Sequence, residues 1–283
     1  MTLKNDEIII DISTVEFNYA ASMRRKGCGY RMNYSNDSEV KNCKILSSLG
    51  IGMASIQNVP DDELEHIVRR AIVNGVNVFD LCAGGRNVFA PVGRAVSNVR
   101  EKVFLTAHFG AGFDELGEYE WIREPAVIRR EFRNQLKALG TDYIDIGLLH
   151  CVDDEQDWLE LRDGGVLAYM RRLKKNGVLR SIGFSTHTPS LAIKMLESGE
   201  FDVVMANISD EYDDGMRDEL LRKCLSENIP VLATGVMAEL KNDMKLCVGG
   251  CICKALKRPG VKVALAGVRT IAELDKILCT PCA

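Results

Sequence analysis

The stretch TDYIDIGLLHC, Thr141 to Cys151, carries a nearly unbroken apolar run, Ile144, Ile146, Leu148 and Leu149, and then stops on His150. An amphipathic helix or a half-solvated strand would alternate with polar residues. Continuous apolar character instead marks a parallel strand covered on both faces. The polar groups begin where such a strand leaves the core, so His150 is placed at a carboxyl end. In α/β folds that end is the side on which ligands bind.

Working outward, the same kind of segment recurs with helical stretches between. LGIGM begins at Leu49 and is followed by a helix over 61–74, with Leu64, Ile67, Val68, Ala71 and Ile72 on one face. VNVFD ends at Asp80, and VFLTA runs into His108. A helix from Pro125 carries Ile128, Phe132, Leu136 and Leu139 on one stripe and has Gly140 as its stop. Beyond the opening stretch come a helix over 166–175, LRSIGFS, a helix over 190–197 and FDVVMANI. A helix holding Met216, Leu220, Leu221 and Cys224 follows, then PVLATG, a helix over 246–256, VKVALAG and a last helix from Ile271. Eight strands, each followed by a helix with right-handed crossovers, predict a closed (β/α)8 barrel, the TIM-barrel class of α/β fold. A doubly wound sheet has the same alternation, but Gly110-Ala111-Gly112 lacks the third glycine of a dinucleotide fingerprint.

The chain of 283 residues is sufficient for one barrel of about 250 residues. The reading divides it into an N-terminal extension over 1–44, whose structure the pattern leaves open, a barrel over 45–278 and a short tail over 279–283. A net charge of -4 with mixed signs, and one short basic cluster at Met23-Arg24-Arg25-Lys26, argue against a nucleic-acid or anionic-membrane partner. No apolar run approaches the ~18 residues of a membrane span, and the start lacks a secretory pattern, so a cytoplasmic protein acting on a small molecule is expected. The ten cysteines are scattered rather than framed as a secreted disulfide scaffold and read mostly as buried free thiols.

A barrel brings its strand ends to one mouth. Asp80 and Cys82, His108, His150, the group Ser185, Thr186 and His187, and the pair Asp210 and Glu211 then share a rim, whereas His66 lies in a helix. Titratable groups that converge from separate strands are the pattern of a site, and Asp80, His108 and His150 are the candidate catalytic residues.

The succession LGIGM, VNVFD, VGRAV, VFLTAH, LKALGTDYIDIGLLH, LRSIGFSTH and LAGVRTIAEL resembles the aldo/keto reductase superfamily over residues 45 to 278, in particular its bacterial branch that often carries an iron-sulfur tail. The resemblance implies an NADPH-dependent carbonyl reductase in which an Asp, a Tyr, a Lys and a His meet at the barrel mouth. There a Tyr hydroxyl protonates the carbonyl oxygen, a Lys held by the Asp lowers its pKa, and the His orients the carbonyl. The Asp matches Asp80 and the His matches His150. The Tyr position holds Gly85, with Gly93 keeping the later spacing, and the Lys position holds His108. Nearby Arg86 is a poor acid, which leaves His108, and after it His150, as the expected acid.

For the cofactor, the resemblance assigns Ser185 to the nicotinamide side and Arg269 and Thr270 to the 2'-phosphate. Met205 and Thr234 stand where a glutamine and a stacking aromatic would be, and Gly267 with Arg269 and backbone N–H groups makes an anion site at the last helix plausible on physical grounds. Cys279 and Cys282 in CTPC resemble the first half of a ferredoxin-type motif, but two thiolates do not complete a four-thiolate cluster. Cys247 and Cys251 read as core-facing at helical spacing. Three functions stay open: an oxidoreductase with an altered tetrad; a lyase, isomerase or hydrolase, metal-dependent or not, using Asp80, His108, His150 and His187 or Cys82; and a non-catalytic barrel. No metal is assigned.

Overall fold

A computed structural model describes residues 30–31, 45–56, 59–82, 86–116, 118–238 and 247–279. Its centre is a closed parallel barrel in which every strand lies beside its sequence neighbour. The strands are β1 (Leu49–Gly52), β2 (Val78–Asp80), β3 (Phe104–Phe109), β4 (Ile144–Leu149), β5 (Leu179–Thr186), β6 (Val203–Asn207), β7 (Val231–Thr234) and β8 (Val261–Gly267), and β8 returns to pair with β1. Each expected strand is present, and the opening stretch is β4, buried at all six positions and ending directly before His150.

The helices are α1 (Asp61–Val73), α2 (Phe89–Val96), α3 (Pro125–Leu139), α4 (Glu155–Asp163), α5 (Val166–Lys175), α6 (Pro189–Leu196), α7 (Arg217–Ser226), α8 (Val248–Leu256) and α9 (Ile271–Leu278). Gly140 ends α3 with φ 63°, the left-handed conformation that lets its N–H satisfy the Leu136 and Lys137 carbonyls. Helix α4 escapes the periodicity because its first turn is acidic and only Trp158 and Leu161 give it an apolar anchor. Its start is set by Asp154, whose carboxylate accepts from the Asp157 N–H at 2.8 Å. Cys247 is a correction: it is not part of a core-facing helical pair with Cys251 but an exposed N-cap whose sulfur accepts from Gly250 N–H, while Cys251 is buried. Of the N-terminal extension, Tyr30–Arg31 forms a two-stranded pair with Ile45–Leu46; the rest of 1–44, residues 280–283 and position 246 lie outside the described residues.

Two apolar layers follow from the two-residue alternation of the strands. Leu46, Val78, Phe104, Ile146, Leu148, Val203, Met205, Leu232, Val263 and Leu265 fill the barrel interior, and the opposite faces pack against the helices. The same alternation positions the site. Stepping by two from Val78 reaches Asp80, from Phe104 through Thr106 reaches His108, and from Ile146 through Leu148 reaches His150. All three polar residues therefore continue the interior columns to the mouth.

Candidate active site

The structure joins Asp80, His108 and His150 into one hydrogen-bonded line. His108 Nε2 lies 2.8 Å from Asp80 Oδ1, and His108 Nδ1 lies 3.0 Å from His150 Nδ1. Thr106, fully buried one step below His108, donates its hydroxyl to the same Asp80 oxygen at 2.6 Å and accepts from the Leu81 N–H. Asp80 and His108 are each 4% exposed and His150 2%. The line continues to a residue that the strand pattern does not point to: the Tyr119 hydroxyl is 2.8 Å from His150 Nε2.

Tyr119 comes from a hairpin inserted between β3 and α3, in which Ala111–Phe113 pairs antiparallel with Tyr119–Trp121. Gly110 begins it at φ 119°, and a side chain there would run into the Arg123 guanidinium. Gly110 of the incomplete fingerprint thus serves a turn, and Gly112 lies within the hairpin strand, where Ile122 packs against it. At the tip, the Asp114 carboxylate accepts from the Leu116 and Glu118 N–H groups at 2.9 Å each, a side-chain turn that sets the return strand. At the base, Arg123 donates to the His150 carbonyl at 2.8 Å, pairs with the buried Asp157 of α4 and stacks on Trp121 with 3.8 Å to the ring centre. One guanidinium therefore ties the hairpin to the backbone of the very histidine that Tyr119 touches.

The electrostatics divide the two imidazoles. Burial opposes charge on His108, but Cys82 and Asp80 outweigh it and raise its pKa to about 10. His150, penalised by burial and then by neighbouring His108 and Arg123, is held well below the ordinary histidine value. The two rings thus differ in their preference for charge, His108 towards it and His150 away from it. Burial pushes the Tyr119 phenol up to about 12 and the Cys151 thiol likewise to about 12, so Cys151 is a thiol rather than a nucleophilic thiolate.

Ser185 is buried next to this line, but its hydroxyl is engaged: it accepts from the Cys151 N–H at 2.8 Å. That bond holds Cys151 at φ 46°, a left-handed conformation unusual for a side-chain-bearing residue, directly after His150. His187 does not join the cluster; its Nδ1 meets Asp153 at 2.9 Å and its ring packs on Tyr212. His66 is exposed on α1. Arg269 and Thr270 are exposed at the start of α9, where Thr270 caps the helix by accepting from Glu273 N–H at 3.2 Å. The Glu273 carboxylate returns to the Arg269 N–H at 2.8 Å. Cys82, His108 and His150 offer ligand atoms within 4.8 Å of one another. Positions 83–85, including Gly85, and the side chains of Arg86 and Asp210 lie outside the described residues.

The closed eight-stranded parallel barrel is shared with known proteins. The Aldo/keto reductase family model matches residues 48–240, and the chain belongs to that family. It is 28% identical over 200 residues to the uncharacterized oxidoreductase YqkF of Bacillus subtilis, covering 69% of this chain and 62% of that protein. To the NADH-specific methylglyoxal reductase of Escherichia coli it is 28% identical over 205 residues, covering 66% and 62%. The chain thus spans less than two thirds of either relative. Among solved structures, the aldo-keto reductase AKR11C1 from Bacillus halodurans in its holo form superposes with a TM-score of 0.72 at 20% identity, covering 90% of this chain and 92% of that one. An aldo/keto reductase from Klebsiella pneumoniae in complex with NADP and acetate gives 0.61 at 19%, covering 83% and 85%. Among the described residues no helix is long and apolar enough to cross a membrane.

Proposed function

We propose that this chain is a cytoplasmic, nicotinamide-dependent oxidoreductase that interconverts a small carbonyl compound and its alcohol, with Asp80, His108 and His150 as the polar centre and NADPH as the preferred cofactor. The observation that carries the reading is the unbroken line from the Asp80 carboxylate through two imidazoles at the barrel mouth. Carbonyl reduction needs a proton delivered to oxygen as hydride reaches carbon, and a chain of hydrogen-bonded rings anchored on a carboxylate relays one, in reverse for alcohol oxidation. Family membership points to the same chemistry, and the Escherichia coli relative is named for a dicarbonyl substrate.

The residues at the last helix suit the phosphate end of a dinucleotide. The exposed Arg269 side chain makes no ion pair among the described residues and stands beside the N-terminus of α9, with Thr270 as N-cap. Next to it, the carboxyl ends of β8 and β1 are paired glycines, Gly267 and Gly52, and nothing lies within 4 Å of where a Gly52 side chain would be. Arg269 and Thr270 would hold a 2'-phosphate, while the Ser185 hydroxyl, committed to Cys151, would contribute by shaping the nicotinamide side. A bound nicotinamide supplies the hydride; the polypeptide supplies orientation and the proton.

The test is a fluorescence titration of NADPH followed by its oxidation at 340 nm in the presence of methylglyoxal. NADPH should bind, and Arg269→Ala should weaken it about tenfold while leaving NADH affinity unchanged, since one charge-assisted contact is worth about 1.5 kcal/mol. No response from NADPH or NADH at millimolar protein would sink the reading. Cys82 with the two histidines motivates a second reading, a three-ligand metal centre with an open position. It requires the rings to give up their mutual hydrogen bond, and elemental analysis separates the two: a stoichiometric transition metal in purified protein favours the metal centre.

A further inference from the structure

We infer that Tyr119 is the proton-donating residue of this site, with His108 on Asp80 as the positive charge behind it and His150 as the link between them, an assignment that rests on the reductase reading above. It departs from the expectation that an imidazole protonates the substrate directly. His150 cannot present its outer nitrogen to a carbonyl while Tyr119 caps that nitrogen at 2.8 Å. The exposure runs the same way: Asp80, His108 and His150 are at most 4% exposed, whereas Tyr119 is 43% exposed. A substrate entering the mouth meets the phenol first.

The hydrogens can be counted along the line. With His108 doubly protonated, its Nε2–H donates to Asp80 and its Nδ1–H donates to His150 Nδ1, which accepts only if His150 is neutral and carries its hydrogen on Nε2. That Nε2–H then donates to the Tyr119 oxygen, which leaves the phenolic hydrogen free to point into the mouth. In this arrangement each ring nitrogen of His108 and His150 takes part in one of the three contacts of the line, Asp80 to His108, His108 to His150 and His150 to Tyr119.

The step balances without a further reactant. As hydride from the reduced nicotinamide forms the new C–H bond, the carbonyl π pair moves to oxygen, and that oxygen takes the Tyr119 hydrogen. The phenolate takes the Nε2 hydrogen of His150, whose Nδ1 takes the Nδ1 hydrogen of His108, leaving neutral His108 on Asp80; solvent restores one proton per turnover. Carbonyl, reduced nicotinamide and one proton become alcohol and oxidised nicotinamide. The two missing functions, a phenol and a cation held by Asp80, are thus both present but built from other positions: the phenol from the hairpin and the cation from the end of β3.

The experiment compares Tyr119→Phe with Glu120→Gln, a control in the same hairpin strand with its side chain on the alternate face. Three quantities are read: NADPH affinity by fluorescence, kcat with methylglyoxal, and the ring nitrogen resonances of His150 by 15N NMR. Tyr119→Phe should retain NADPH affinity, lose about 10²–10⁴-fold in kcat and shift the His150 Nε2 resonance, while Glu120→Gln changes none of these. His108→Gln should lose activity similarly, with His108→Lys recovering part of it, because a cation rather than an imidazole is what Asp80 must hold. A Tyr119→Phe enzyme that binds NADPH and keeps kcat within a few-fold overturns the assignment alone. Wild-type protein that ignores both nicotinamides removes the reductase reading and this assignment together. An unmoved His150 resonance shows that the phenol is not part of the line.

Discussion

At the scale of single residues, the pair of touching histidines makes stability a two-sided function of pH. His108 has a folded pKa of about 10 against an ordinary 6.5, so the stability it contributes is fully present below about pH 6.5 and is lost as pH rises toward 10. His150 has the opposite sign: below about 6.5 the unfolded chain takes up a proton that the folded ring refuses, so acidification destabilises. His187, raised by its hydrogen bond to Asp153, steepens the alkaline side. Denaturant midpoints should therefore peak near pH 6.5 and fall on both sides, and His108→Gln should flatten the alkaline limb. A midpoint that keeps rising to pH 9 would contradict the charge assigned to His108.

Residue by residue, legibility followed the strand columns. Asp80, His108 and His150 could be read because each lies an even number of positions beyond a core residue, so alternation alone carries it inward. Tyr119 could not. It is set by a hairpin whose strands are three residues long and whose outer strand is exposed throughout, with no apolar alternation to betray it. The signals that existed were indirect: glycines flanking a short segment after β3, and Asp114 placed to turn it. Ser185 shows the converse, a rim serine whose hydroxyl is spent on backbone support.

At the scale of elements, the hairpin should be fragile at its two hinges. Gly110→Ala places a side chain at φ 119° and against Arg123, and a cost of about 1–3 kcal/mol is expected, with Tyr119 drawn away from His150. Arg123→Ala leaves Asp157 buried without its guanidinium partner and should cost about 3–5 kcal/mol. Both are measured by urea unfolding, and both should lower kcat more than they weaken NADPH binding, since Arg269 is on a different element. Helix α4 explains why such a clamp went unseen: its Asp157 is a buried acid inside a helix whose apolar face is only two residues strong.

At the scale of the whole molecule, the barrel interior below the site should dominate stability. Leu148 is fully buried in the inner cluster, one step beneath His150, and Leu148→Ala should cost about 2–5 kcal/mol by calorimetry or denaturant titration. The fold was legible because eight apolar runs alternate with amphipathic helices in a spacing that few architectures accept. What the pattern left open is where those rules do not apply, in loops built from turns and side-chain caps.

The short hairpin between β3 and α3 pairs its own strands and returns the Ile122 N–H to the Gly110 carbonyl at 2.9 Å; the Arg123 guanidinium fastens its base, and Phe113 and Ile122 seat it on the core. It is a cassette of fourteen residues, 110–123, that can be exchanged without cutting any barrel stave, provided the receiving scaffold offers the apolar seat that Phe113 and Ile122 occupy. Chimeras that transplant 110–123 onto a sister cylinder would carry the donor's acidity with the graft.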